Sequence, residues 1–231
     1  MITIAIRIPE EAADQWIAAV ADLELVRDIE VPAELLTASS ELRDLAERYG
    51  IDIPCVRELV PDNVVRCLDE GNEKSHDQLV SLVAERCKEC RNAGAQIVSL
   101  GLGLERLQTA SAPQALDRRV AFVRRIVPTV DSKGLTLTLP VRHPPEYPAS
   151  KAWSFTSNVV HDVMHPSCRL AVNFFPLEVE PDFDHLAFVR RTHFQVSMIR
   201  FHYEPMLGEE LEDASLEAWA HALRWHGFDG A

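Results

Sequence analysis

Residues 97–102 read IVSLGL, and they are followed by a helix-like stretch at 113–130 and by a second apolar run, LTLTLP, at 135–140. A buried strand, an amphipathic helix and another buried strand in succession predict a βαβ unit with two parallel strands. The strand candidates are rich in Val, Ile and Leu and nearly continuous in apolarity, as in parallel strands buried on both faces. This part of the chain therefore predicts a parallel sheet covered by helices.

The same unit recurs in both directions along the chain. Seven strand candidates lie at residues 3–8, 23–26, 53–59, 97–102, 135–140, 169–174 and 196–202, and an eighth unit reaches only 227–231. Helical periodicity covers residues 10–21, 40–49, 76–93, 113–130, 154–164, 184–191 and 216–225. Repeated βα units predict an α/β fold of the TIM (β/α) barrel type, as one domain over residues 1–231. The eighth unit is incomplete or atypical, so a seam with exposed strand edges would favour a homo-oligomer.

Composition narrows the function classes. The chain has 231 residues, of which 47% are hydrophobic and 26% charged, and its net charge is -13. This charge repels phosphate backbones and argues against nucleic acid as a partner, and we interpret the Arg pairs at 118–119, 124–125 and 190–191 as solvated helix faces. The N-terminal residues lack the pattern of a signal or anchor, which predicts a cytoplasmic protein without membrane contact. The five cysteines form no framework pattern and predict free thiols.

Two short motifs have the residue spacing that is typical of metal ligands. Cys87 and Cys90 lie one helical turn apart, but no second pair accompanies them, so we interpret them as structural thiols on a helix flank. His161 and His165 have the i, i+4 spacing of a zinc helix, but Pro166 follows at once, and we interpret them as surface histidines.

Polar residues at the strand ends are the candidates for chemistry. Alternation on the seventh strand sends Arg200, His202 and Glu204 to one side, either into the barrel lumen or simply out into water where the strand ends. Arg57 or Glu58 at the end of the third strand are candidates on the same positional argument, because barrel sites lie at carboxyl strand ends. These two side chains could instead neutralise one another as an ion pair.

Several stretches resemble one family of barrels. Residues 220–230, AHALRWHGFDG, look like a final helix followed by Gly-Tyr-Asp-Gly, and residues 198–204 are similar to a seventh strand with His202 at the position of a lumenal histidine. Residues 135–140 and 169–176 are similar to the fifth and sixth strands. Over most of its length the chain thus resembles the xylose isomerase-like TIM barrels, which include sugar-phosphate isomerases and epimerases.

The resemblance implies a divalent metal held by Glu, Asp, His and Glu at strand ends, and this sequence departs from that set. Pro140 stands where the first Glu is expected, Asn173 replaces the Asp, and Pro176 replaces the following His. We therefore expect no cofactor. A divalent metal would bind only through relocated ligands, for which the candidates are His143, Glu146, Glu178, His202 and Glu204.

The resemblance implies a sugar or sugar-phosphate isomerase or epimerase-like protein, without the usual divalent-metal site and with a small sugar-like ligand. The catalytic candidates are His202, Glu204 and Glu58, and the substrate-binding candidates are Arg200, Arg57, Asn173 and His143. The alternative is a non-catalytic barrel that binds a small polar metabolite or a protein partner. A nuclease role, as in a sister family, is disfavoured by the acidic charge.

Overall fold

The computed structural model describes residues 5–9, 11–22, 27–38, 40–70, 73–103, 112–141, 149–173, 187, 190–191 and 194–200. Its strands form one parallel sheet in chain order: β1 (Ala5–Arg7), β2 (Asp28–Pro32), β3 (Asp52–Arg57), β4 (Ile97–Ser99), β5 (Thr136–Pro140), β6 (Cys168–Asn173) and β7 (Val196–Arg200). The sheet curls, because a side chain of β7 reaches one of β2 although four strands lie between them. Within these ranges β1 and β7 form the two edges, so the described part is an incomplete barrel.

Helices separate the strands, as the βα repeats predict. They are α1 (Ala13–Asp22), α2 (Ala33–Ala38), α3 (Glu41–Tyr49), α4 (Asp62–Val65), α5 (Cys67–Glu70), α6 (Glu73–Asn92), α7 (Ala112–Ser132) and α8 (Ala149–Val163). The predicted helices 184–191 and 216–225 and the eighth unit fall mostly or wholly outside the described residues. Between β3 and α6 the chain forms α4 and α5, two single turns that are too short for periodicity to predict.

The second strand is the main correction to the predicted elements. It runs from Asp28 to Pro32, beyond the predicted run at 23–26, which lies outside the described residues. Its sequence alternates: Ile29 and Val31 join the main core between sheet and helices, whereas Glu30 points the other way. A strand with a charged residue at its centre does not form a continuous apolar run, and so the search for such runs missed it.

Apolar side chains fill both sides of the sheet. The larger cluster lies between the strands and the helices, and it includes Ile17 of α1, Val83 of α6 and Ile126 of α7. A small second cluster joins Cys55, Ala171 and Met198, from β3, β6 and β7. Because β3 and β6 are not adjacent in the sheet, their side chains can meet only across the lumen. The lumen is therefore packed with side chains, as in other barrels of this type.

The interpretation of the Arg pairs as solvated faces is wrong for Arg119. This side chain is fully buried, and it donates from Nε to the Leu102 carbonyl at 2.7 Å and from Nη2 to Asp69 Oδ1 at 2.6 Å. Arg118 donates to the Leu68 carbonyl at 2.8 Å. Helix α7 thus ties down the segments that follow β3 and β4, whose carbonyl groups supply the acceptors that a buried guanidinium needs.

The surroundings of the Cys87/Cys90 and His161/His165 motifs do not indicate metal binding. Cys87 and Cys90 are buried in the main core, and none of the five cysteines forms a disulfide, which confirms the predicted free thiols. His161 is exposed on α8, but the helix ends at Val163, so His165 lies beyond it and the two imidazoles do not share a helix face. In the part of the chain that the structure describes, no helix is long and apolar enough to cross a membrane.

Candidate functional site

Within the described ranges, three of the seven strands end on arginine: Arg7 on β1, Arg57 on β3 and Arg200 on β7. All strands are parallel, so these residues lie at the same, carboxyl-terminal end of the sheet. Arg7 is the register partner of Glu30, and Glu30 of Cys55, which lies in the lumen. Register partners on parallel strands point to the same side, so these side chains face the barrel interior. We call Arg7, Glu30, Arg57, Glu58 and Arg200 the charged mouth.

The Glu30–Arg200 ion pair spans the mouth. Arg200 donates from Nη2 to Glu30 Oε1 at 2.6 Å, and from Nε to Oε1 at 3.1 Å and to Oε2 at 3.3 Å. The side chains retain only 6% exposure for Glu30 and 12% for Arg200. A forked, multiply hydrogen-bonded pair away from water fixes both groups far more firmly than a surface pair does. It therefore holds the β7 edge against β2.

Arg57 and Glu58 form a second pair beside the first. Arg57 Nη1 lies 3.0 Å from Glu58 Oε2, and Nη2 donates to the Ile8 carbonyl at 3.4 Å, which links the ends of β3 and β1. Glu58 keeps 35% of its side chain exposed, so this carboxylate is open to a bound molecule. Its φ of +52° is unusual for a non-glycine residue, and backbone strain of this kind concentrates at functional sites.

The charges of the mouth influence each other. Desolvation first, and then the like charge of Arg57, lower the pKa of Arg7, while Glu30 acts in the opposite direction. Burial raises the pKa of the Cys55 thiol to about 12, and Glu30 adds to that effect. Arg7 keeps its charge because a guanidinium titrates far above neutral pH. The mouth therefore carries three positive charges and two carboxylates.

The structure brings together three of the residues that the sequence predicted for the site. Arg57, Glu58 and Arg200 all belong to the charged mouth, and the suspected Arg57–Glu58 ion pair is present. Asn173 ends β6 in register with Arg200, so its backbone lies at the same end of the sheet. His143, His202 and Glu204 lie outside the described residues, as do Glu146 and Glu178, and their roles stay predictions.

Two members of the charged mouth, Arg7 and Glu30, are absent from the predicted site. Arg7 lies one residue before the end of the predicted run at 3–8, so the positional argument applied to Arg57 would also have selected it. Glu30 was recognisable from the alternation of charged and apolar residues in DIEVP at residues 28–32.

The residues of the described strand ends do not fit the divalent metal that the sequence resemblance implies. Pro140 offers no side-chain donor where the first Glu is expected, and the preceding Leu139 is fully buried. The carboxylates of the mouth are instead bound to guanidinium groups, whose charge opposes a cation beside them. Among the described residues, no three His, Cys, Asp or Glu side chains are grouped to hold a metal ion. The usual ligand set is therefore not reproduced at these strand ends.

Comparison with known proteins defines the fold. No protein-family model matches the sequence, and no curated protein is significantly similar to it. The chain is similar in structure to D-psicose 3-epimerase from Clostridium cellulolyticum H10, with a TM-score of 0.73 and 15% identity over 98% of this chain and 83% of that one. It is also similar to 3-keto-D-glucoside 4-epimerase from E. coli, with a TM-score of 0.71 and 9% identity over 100% and 90% of the two chains.

A nuclease-type barrel is equally similar. AP endonuclease, family 2, from Brucella melitensis gives a TM-score of 0.72 at 12% identity and covers 99% of this chain and 89% of that one. The fold is thus that of the xylose isomerase-like TIM barrels, as the sequence resemblance predicted. At such low identity the similarity shows the fold alone, and the function has to be argued from the charged mouth.

Proposed function

We propose that the protein binds a sugar-like metabolite in the charged mouth and rearranges it as an isomerase or epimerase, without the divalent metal usual in such barrels. The observation that carries this proposal is the open carboxylate of Glu58, held 3.0 Å from a guanidinium group at the carboxyl end of the strands. This is the end at which barrels of this type place their chemistry. The sugar epimerases among the structural neighbours support the substrate class.

The chemistry requires a base and a group that stabilises negative charge. Glu58 would remove a proton from the carbon next to a carbonyl group, whose oxygen then gains the electrons as an enediolate. That oxygen would be stabilised by a guanidinium group of the mouth, because a cation placed in a water-poor site favours developing negative charge. Return of the proton to the opposite face needs a second acid, for which His202 and Glu204 are the sequence candidates.

A non-catalytic barrel that binds a small polar metabolite is the second proposal. The Glu30–Arg200 pair favours this proposal. Its two groups satisfy each other through three hydrogen bonds, so neither is available to transfer a proton. Nuclease activity gains less support, because the net charge of -13 repels a polyanionic substrate.

Deuterium exchange tests the two proposals directly. The protein is incubated in D₂O with D-fructose, D-tagatose, D-psicose and their phosphates, and proton NMR follows the C–H signals beside the carbonyl group. An isomerase or epimerase should exchange them with or without a chelator, and Glu58→Gln should slow exchange at least about 100-fold.

Asp77→Asn serves as the matched control, since it also removes one carboxylate from a pair with arginine, on the exposed helix surface. Ligand-induced thermal stabilisation without exchange would favour the binding protein. Exchange that depends on added metal, or that is unchanged in Glu58→Gln, would contradict the proposed chemistry.

A further inference from the structure

The charged mouth has one more positive charge than its carboxylates neutralise. Glu30 is occupied by Arg200, and Glu58 contacts Arg57. Arg7 makes no hydrogen bond or ion pair with another described residue, although it experiences the charges of all four other members. In a protein of net charge -13, this excess of positive charge among the described residues of the mouth is a specific feature of the site.

Arg57 adds an unsatisfied donor next to this excess charge. Its residue exposure is only 9%, and its Nε has no hydrogen-bond partner. A buried N–H without an acceptor destabilises the folded protein, so its presence at the barrel mouth points to an acceptor that arrives with a ligand. The neighbouring Nη1 and Nη2 already contact Glu58 and the Ile8 carbonyl, which leaves Nε as the available donor.

Arg7 and Arg57 lie at the same end of the sheet, on the two strands that flank β2. Arg57 bonds to the carbonyl of Ile8, the residue that follows Arg7, so the end of β3 is fixed against the end of β1. The two guanidinium groups repel each other, so the like charge of Arg57 lowers the pKa of Arg7. An oxyanion between them would relieve this repulsion, and guanidinium groups bind such groups through paired N–H donors.

We propose that Arg7 and Arg57 form a subsite for an oxyanion group, a phosphate or a carboxylate, on the molecule that occupies the barrel mouth. The two donors of Arg200 that contact Glu30 are occupied, whereas Arg57 retains an unsatisfied Nε and Arg7 has no partner among the described residues, which favours the β1–β3 side for the anion. That the oxyanion belongs to a sugar derivative rests on the proposed function. The substrate class is then a sugar phosphate or a sugar acid rather than a neutral sugar.

Calorimetric titration at constant ionic strength tests the subsite with inorganic phosphate as the first probe. Phosphate should bind one site per chain, and Arg7→Gln should weaken this binding at least tenfold. Arg43→Gln is the matched control, because Arg43 is an exposed arginine of α3 beside the amino ends of β2 and β3, at the other end of the barrel. The Arg43→Gln variant should bind phosphate with a Kd within twofold of that of the unchanged protein.

D-Fructose 6-phosphate, D-gluconate and D-fructose then distinguish the sources of the anion. Tighter binding of the phosphate ester or of the sugar acid than of neutral D-fructose, lost in Arg7→Gln, is the expected result and identifies which oxyanion is used. Phosphate binding without sugar exchange in any variant would support the subsite and refute the proposed isomerase. Equal weakening in Arg7→Gln and Arg43→Gln, or neutral sugars bound as tightly as anionic ones, would overturn the subsite.

Discussion

The ion pair between Glu30 and Arg200 should be a major contributor to the stability of the barrel. Glu30→Gln or Arg200→Leu leaves the other charge almost buried without its partner, with 12% or 6% of its side chain exposed. Breaking a buried pair from one side costs about 3–5 kcal/mol. In a chain of this length that corresponds to a fall in Tm of roughly 6–20 °C. We expect this loss in urea unfolding, with Arg200→Lys also destabilised because it cannot form the forked contact.

The double variant isolates the interaction. Glu30→Gln with Arg200→Leu should lose less stability than the sum of the single variants, by at least about 1.5 kcal/mol. The Asp77–Arg125 pair provides a control with the same 2.6 Å contact but with 67% and 50% of the side chains exposed. The coupling energy of the Asp77–Arg125 pair should stay within about 1 kcal/mol. Equal coupling energies for the two pairs would refute the argument that burial makes the Glu30–Arg200 pair strong.

Two further predictions follow from the titrating groups. Burial raises the pKa of the thiols of Cys55, Cys87, Cys90 and Cys168 to about 12 from 9.0, so at pH 8 a thiol reagent should modify the half-buried Cys67 first and the other four only after unfolding. Because these pKa values are raised, their contribution to stability is complete below pH 9 and is lost as the pH rises toward 12. The alkaline fall in unfolding free energy should be shallower in Cys87→Ala/Cys90→Ala, and an equal slope would contradict it. Desolvation, followed by the charge of its register partner Asp52, raises the pKa of Asp28, so ionised Asp28 destabilises the fold at neutral pH. Asp28→Asn should raise Tm at pH 7 by an amount that shrinks in acid as the native carboxyl is protonated, whereas an unchanged Tm at pH 7 would show that the repulsion is screened.

The strands were predictable from sequence where their two faces are apolar. Runs such as LTLTLP at 135–140 lie between the lumen and the helices, and the observed β5 differs from the prediction by one residue. Glu30 could not be found by the same criterion, because its charge is stabilised by Arg200, 170 positions later in the chain. Only the curl of the sheet brings β2 and β7 together, and no local pattern encodes that contact.

Arg119 shows a second limit of local patterns. An Arg-Arg pair on a helix indicates a solvent-facing surface when only neighbouring residues are considered. Its burial depends on the acceptors at Leu102 and Asp69, which belong to segments after two different strands. A charged residue can therefore be placed in the interior wherever the topology brings carbonyl and carboxylate groups to it. The structure places the predicted Arg57, Glu58 and Arg200 at the same end of the sheet, because the positional rule for strand ends uses topology rather than local composition.

Among the described residues, the charged groups at the strand ends are distributed unevenly around the barrel opening. The strands β1, β3 and β7 end on arginine, whereas β4 ends on Ser99, β5 on Pro140 and β6 on Asn173, none of which carries a charge. In the proposed oxyanion subsite, an anionic group would lie on the side formed by β1 and β3, and the neutral remainder of the same molecule would extend toward the β4–β6 side. Glu58 directly follows β3 and lies at the boundary between the two sides. A carboxylate at that position would meet the carbon atoms near the anionic end of a bound molecule, which is where a proton would be removed.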